Sequence, residues 1–284
     1  MGKQVTAPAV RARKRAAGHE PLVMITAYDA PGARIADEAG VDLILVGDSV
    51  AMVVLGYEDT LQVTVADMAH HVGAVARAKP RALVVGDLPW MSYHLGTAEA
   101  AANAATLVRA GAQAVKLEGG RKRVPVVEAI VDAEVPVMGH IGLTPQSVHA
   151  MGGYKVQGRE LDAAEALVED AVALAEAGCF SLVLEGVPDV VAARITEAVP
   201  IPTIGIGAGP HCDGQVLVMH DLLGIEDRVT PKFVRRYASL KADAVAAVAA
   251  YADDVRTGRF PAEVESYHAA GETLALYGKA AATA

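Results

Sequence analysis

Short aliphatic runs alternate with longer, alanine-rich amphipathic stretches from about residue 21 to residue 250, and eight such runs stand out. They are "PLVMITAY", "VDLILVGDS", "RALVVGDLP", "AQAVKLEGG", "EVPVMGHIG", "FSLVLEGVP", "IPTIGIGAG" and "GQVLVMHDL". Runs of this length suit strands buried on both faces, whereas apolar positions recurring every three to four residues suit helices that bury one side. The pattern predicts helices over 31–39, 64–78, 97–110, 160–177 and 232–254. Strand alternating with helix implies a parallel sheet, and eight units within about 230 residues fit a closed (β/α)8 TIM barrel. The rival architecture, an open doubly wound sheet, usually announces itself with GxGxxG after its first strand. Here the first run ends in "TAYDAPG", and the nearest glycine cluster, "GIGAGP", follows the seventh run with the wrong spacing.

A partial internal repeat sharpens the picture. Three predicted helices end in Ala-Gly at Gly40, Gly111 and Gly178, where glycine suits a left-handed helix cap. Each is followed by an aliphatic run that finishes on an acid: Asp48 lies eight residues after Gly40, Glu118 seven after Gly111 and Glu185 seven after Gly178. A fourth run, entered through Pro80, ends on Asp87, again seven residues on. All four carboxylates therefore fall at one level, the C-terminal ends of strands, where barrel active sites are built.

Composition narrows the classes of partner. The 284 residues are 52% hydrophobic, enough to bury a large core, and 34 acidic against 25 basic side chains give a net charge of -9. That balance argues against nucleic acid or an anionic membrane as partner and favours a small ligand. No apolar run approaches the roughly 18 residues of a membrane span. Cys179 and Cys212 form no CxxC pair, so neither a disulfide framework nor a zinc cluster is supported, and the expected compartment is the reducing cytoplasm. Residues 1–20 read as a flexible basic tail, with Arg11, Arg13, Lys14 and Arg15 among alanines; a targeting peptide is the other reading. Residues 21–284 then form a single barrel domain with a C-terminal helical extension and a short disordered end at 279–284.

Four carboxylates at one mouth repel each other unless a cation neutralises some or burial keeps one protonated. With oxygen donors and no HxxxH, HExxH or paired cysteines, the expected ion is Mg²⁺, or Mn²⁺, rather than zinc. Magnesium takes one or two protein carboxylates directly, which leaves an acid free to act as general base. Lys116 and Glu118, two apart on one strand, leave the same face, so Lys116 can hold the carboxylate of a small organic acid while Ser49 donates a further hydrogen bond. A chelated 2-oxo acid is primed to lose the proton beside its ketone.

Each feature also has a plainer reading. A single acid at a strand end caps a turn or helix, Lys116 serves as an ion-pair partner, and His140 as a packing or supporting histidine. Helical His70 and His71 are not expected to be catalytic. "GIGAG" is either a phosphate loop or a tight turn, and "AMGGYKVQGRE" either a mobile flap or an ordinary loop.

Taken together, "MITAYDAP", "LVGDSVAMVVLGYEDTLQVTVADM", "GDLPWMSY", "AATLVRAGAQAVKLEGG", "GHIGLTPQSVHAMGGYKVQGR", "LVLEGVP" and "IPTIGIGAGPHCDGQVLVMHDLLG" resemble the ketopantoate hydroxymethyltransferase family over roughly residues 22–225. The chain departs from the family pattern at Gly186, where many relatives carry cysteine. The resemblance implies a barrel like those of phosphoenolpyruvate mutase and isocitrate lyase, the substrate 3-methyl-2-oxobutanoate and the one-carbon donor 5,10-methylenetetrahydrofolate. It assigns Asp48, Asp87 and Glu118 to a Mg²⁺ site, Asp48, Ser49, Asp87 and Lys116 to substrate contacts, and Glu185 to the general base; His140, placed at the rim by its strand alone, is the candidate supporting residue. It also implies a homo-oligomer, often a decamer. The rivals are a carbon-carbon lyase or phosphomutase of the same barrel group, whose Lys-Lys-Cys-Gly-His-type loop is missing here, and a non-catalytic metabolite-binding barrel.

Overall fold

The computed structural model describes residues 3–14, 18–228 and 231–273. Contacts divide the chain into two units, Met1–Tyr237 and Ala238–Ala284. In the first, eight parallel strands close into a barrel in sequence order. They are β1 (Leu22–Thr26), β2 (Leu43–Val46), β3 (Leu83–Asp87), β4 (Ala114–Glu118), β5 (Val137–Gly142), β6 (Ser181–Glu185), β7 (Thr203–Ile206) and β8 (Gly214–Leu217). Every aliphatic run supplies one strand, and β1 pairs with both β2 and β8, which excludes the open sheet.

The helices of this unit are α1 (Ala7–Arg11), α2 (Ala30–Glu38), α3 (Val50–Val53), α4 (Val65–Arg77), α5 (Thr97–Ala110), α6 (Val124–Asp132), α7 (Val148–Met151), α8 (Leu161–Glu176), α9 (Asp189–Ala198) and α10 (Met219–Leu222). Local chemistry sets several ends. Thr64 and Asp67 form a reciprocal capping box at the start of α4. At the end of α5, Gly111 takes φ 119°, and a Cβ there would lie 2.4 Å from that of Ala76, so any other residue is excluded by both backbone and space.

Alternation along each strand sorts two cores. Leu43 and Leu45 of β2 face the barrel interior with Leu83, Val85, Ala114, Met138 and Val183, while Ile44, Val46, Val84, Val115, Leu117 and Leu182 pack outward against the helices. Because Ala114 points inward, so do Lys116 and Glu118 two and four residues on.

The basic N-terminal segment is not the free tail expected from its composition. Helix α1 inserts Ala7 and the fully buried Val10 into the barrel's interior cluster, on the floor opposite the carboxylates. Arg13 pairs with Asp42, and Lys14 Nζ donates to the Thr196 and Ile201 carbonyls (2.7 and 3.1 Å) and to Asp213 Oδ2 (2.7 Å). The charges that suggested a solvated tail instead tie the segment to strand ends, and the barrel unit begins with it. Arg15 lies outside the described residues. Truncation Val10→Ala is expected to cost about 2 kcal/mol, from lost burial plus the cavity left behind. Urea unfolding measures this, and an unchanged midpoint would mean that the helix does not plug the floor.

The second unit, described to residue 273, contains α11 (Leu240–Arg256), none of whose residues is buried. Its start at Leu240 corrects the prediction of a helix from 232, and the helical extension expected at the C-terminal side of the barrel falls in this unit. After α11 the chain turns back, with Arg259 on Asp253 and Asp254 and Tyr251 edge-on to Phe260. The expected disordered end at 279–284 lies outside the described residues.

Candidate active site

The barrel gathers the predicted residues at the C-terminal ends of β2 to β6. Parallel register sets Asp87 beside Lys116 and Glu118 beside His140. Gly142, at φ 96°, lets β5 approach β6 so closely that a Cβ there would meet the Glu185 carbonyl at 2.2 Å; Leu143 N–H donates to that carbonyl at 2.7 Å. The close approach fixes the strand end that carries Glu185.

Direct contacts link the group into one network. Lys116 Nζ lies 2.9 Å from Asp87 Oδ1, and Asp87 Oδ2 accepts the Asp48 backbone N–H at 3.1 Å. Imidazole His140 bridges two acids, with Nδ1 3.4 Å from Glu118 Oε1 and Nε2 3.2 Å from Glu185 Oε2. Ser49 Oγ shares a hydrogen bond of 2.8 Å with the buried Tyr28 hydroxyl. Asp48, Asp87, Lys116, Glu118 and His140 are all at most 5% exposed. Glu185 differs, because 17% of its side chain remains accessible.

Burial and crowding set the charge states. Asp48 is pushed well above the usual carboxylate range by burial and by the charges of Asp87 and Glu118. Asp87 is raised too, by burial, against the pull of Lys116. For Lys116 burial opposes the charged form, yet Asp87, Glu118 and Asp48 outweigh it and hold the ammonium above its ordinary value. His140 is likewise opposed by burial and by Lys116, but Glu118 and Glu185 bring it up to about 9. Lys116 Nζ also lies 3.3 Å from His140 Nδ1, a contact that bonds only if that nitrogen is unprotonated. Carboxylates beside both ring nitrogens favour the imidazolium, so Lys116 and His140 are like-charged neighbours held together by the acids.

This donor set fits a divalent cation. Fully ionised, the four carboxylates would outnumber Lys116 and His140 by two negative charges, and this crowding adds to burial in raising Asp48. Asp87 Oδ1 is buried without an aligned hydrogen bond, its contact with Lys116 being an ion pair alone. Among the described residues no three His, Cys, Asp or Glu side chains converge into a ready-made cage. Magnesium does not require one, since it is commonly held by one or two carboxylates with water and substrate oxygens around it.

Sequence reasoning missed Gln146, Tyr93 and Tyr28. Gln146 Nε2 donates to Asp48 Oδ2 at 2.8 Å, its backbone N–H donates to Glu118 Oε2 at 3.0 Å, and Tyr93 Oη donates to Gln146 Oε1 at 2.5 Å. All three lie within the motifs quoted above, but none ends a strand, so register gave no signal. Helical His71 bonds the Tyr28 carbonyl at 2.8 Å, a structural task. The "GIGAG" turn helps line a cavity of 430 Å³ with Pro21, Pro210, Cys212, Gln215 and Phe233; among the described residues its lining holds no basic side chain to favour a phosphate. The glycine-rich loop after α7 is anchored by Gln157 N–H to the Gly186 carbonyl at 2.9 Å. Its half-exposed Tyr154 has a phenol raised by burial and by the charges of Asp59, Asp48, Glu185 and Glu118.

Comparison with known proteins agrees with this frame. Among solved structures, 2,3-dimethylmalate lyase, a member of the PEP mutase/isocitrate lyase superfamily, superposes with a TM-score of 0.59 at 18% identity, covering 99% of this chain and 100% of that one. Phosphonopyruvate hydrolase in complex with oxalate and Mg²⁺ gives 0.60 at 14% identity over 97% of this chain and 96% of its own. At such identities the likeness shows the fold alone, a closed barrel of eight parallel strands. Among sequences, the 3-methyl-2-oxobutanoate hydroxymethyltransferase of Oleidesulfovibrio alaskensis is 59% identical over 266 residues, 93% of this chain and 91% of the relative. The family model described as ketopantoate hydroxymethyltransferase matches residues 4–263, and the chain belongs to that family.

Proposed function

We propose that the protein transfers a one-carbon unit from 5,10-methylenetetrahydrofolate to 3-methyl-2-oxobutanoate, giving 2-dehydropantoate and tetrahydrofolate, a step of pantothenate biosynthesis. The observation that carries this reading is the convergence, in a member of this family, of Asp48, Asp87, Glu118 and Glu185 with Lys116 at one barrel mouth. Asp48, Asp87 and Glu118 are the residues that would hold Mg²⁺. When bound, Mg²⁺ supplies a Lewis acid for the substrate's ketone oxygen.

The remaining work falls to the chain itself. Lys116, kept charged by its acidic neighbours, attracts the substrate carboxylate, and Ser49, with Tyr28 behind its hydroxyl, offers that end a hydrogen bond. Glu185 is the acid with an accessible face, and it removes the C3 proton. His140, its Nε2 3.2 Å from Glu185 Oε2, holds that carboxylate as an ion-pair partner. Two bonds then form at the donor's methylene carbon, one to the enolate carbon and one to the oxygen of a water, while both of its C–N bonds break; each folate nitrogen leaves with its electron pair and takes a proton, one from Glu185 and one from the water.

Incubation with 3-methyl-2-oxobutanoate, Mg²⁺ and 5,10-methylenetetrahydrofolate should yield 2-dehydropantoate and should stop on chelation. Without the folate, the same mixture in deuterated water should exchange the C3 proton. The absence of both turnover and exchange would end the proposal.

A further inference from the structure

Gln146 lies off the strands, in the turn between β5 and α7, yet it touches two of the four acids. Its amide group is fully engaged: Nε2 donates to Asp48 Oδ2 (2.8 Å) and to the Leu88 carbonyl (3.0 Å), and Oε1 accepts from Tyr93 Oη (2.5 Å). A backbone carbonyl only accepts, so the group facing Leu88 must be the NH₂, and the amide's orientation is settled. The same NH₂ therefore points at Asp48. Meanwhile the Gln146 backbone N–H donates to Glu118 Oε2 at 3.0 Å, and the Glu118 backbone N–H donates to Tyr93 Oη at 3.3 Å. Tyr93, Gln146, Asp48 and Glu118 are each at most 5% exposed.

We infer that Gln146, oriented by Tyr93, is a positioning residue that pins one oxygen of Asp48 and one of Glu118 and so sets these carboxylates for a divalent cation. The inference rests on the proposed metal role of those acids. Donors aimed at both acids stabilise their ionised forms and hold their second oxygens in fixed directions. A residue present only for packing would show neither the paired donors nor the tyrosine that locks them. Supporting residues of this kind commonly change metal affinity when replaced, without touching the ion.

The test is Mn²⁺ binding by the full-length protein, without oxo acid or folate, followed by the electron paramagnetic resonance signal of the free ion. Gln146→Met keeps the volume and removes the amide, and it should weaken Mn²⁺ about ten-fold. Tyr93→Phe should weaken it less. The double variant should lose less than the product of the two single losses, because Tyr93 acts through Gln146. Wild-type affinity in Gln146→Met, or fully multiplicative losses, would overturn the clamp while leaving the proposed reaction intact. If metal-free thermal unfolding shows that Gln146→Met is not folded, unchanged binding by Tyr93→Phe would overturn it instead. A wild-type protein that binds no Mn²⁺ would sink the metal reading and the clamp with it.

Discussion

Replacing Glu185 by Gln should lower deuterium exchange at C3 of 3-methyl-2-oxobutanoate about 10³-fold, the scale of a general base. Substrate and Mg²⁺ binding should survive. Gln has nearly the same shape, and its amide oxygen can stand 3.2 Å from His140 Nε2 as the Glu185 oxygen does, so the pocket keeps its geometry and loses the proton acceptor. Accessibility singles out this acid. Side chains of Asp87 and Glu118 are 3% and 2% exposed and lie among cations, whereas Glu185 keeps 17% toward the mouth. Full exchange in the variant would shift the role to another group, with His140 the first to replace.

The second large effect concerns pH and the metal-free protein. His140 binds its proton more tightly when folded, at about 9, than when unfolded, near 6.5. Its contribution to stability is therefore complete below about pH 6.5 and is lost as pH rises through 9, an amount of about 3 kcal/mol. The groups facing it are Lys116, Glu118 and Glu185. The buried Asp48 and Asp87 are also raised, so their contributions fall in the same direction, starting from the carboxylate range at lower pH. Urea unfolding in the presence of a chelator should show stability falling between pH 6.5 and 9, and His140→Gln should flatten that segment. Wild-type stability that stays level or rises across this window would mean that the imidazole is neutral.

Both expectations treat the mouth as one electrostatic unit. Asp48, Asp87, Lys116, Glu118, His140 and Glu185 come from five strands, and no two neighbouring strands place them by chain proximity. What couples them is barrel closure. A substitution at any one should therefore be read as a change in the charge balance of the rest.

The amino-acid sequence determined the barrel and the level at which its acids lie. Strand and helix periods are local properties, and eight aliphatic runs alternating with helical stretches leave few ways to bury both faces of a parallel sheet. Asp87, Glu118 and Glu185 end their strands and Asp48 follows β2 by two residues, so counting along each run was enough to find them. Tertiary structure alone decided the rest. Gln146 and Tyr93 leave loops whose direction depends on packing, not on period, and their meeting with Asp48 and Glu118 spans up to 98 residues of chain. Five-residue α1 lies below the length at which a helix holds itself together, so only contact with the barrel floor could turn a basic, alanine-rich stretch into an ordered plug.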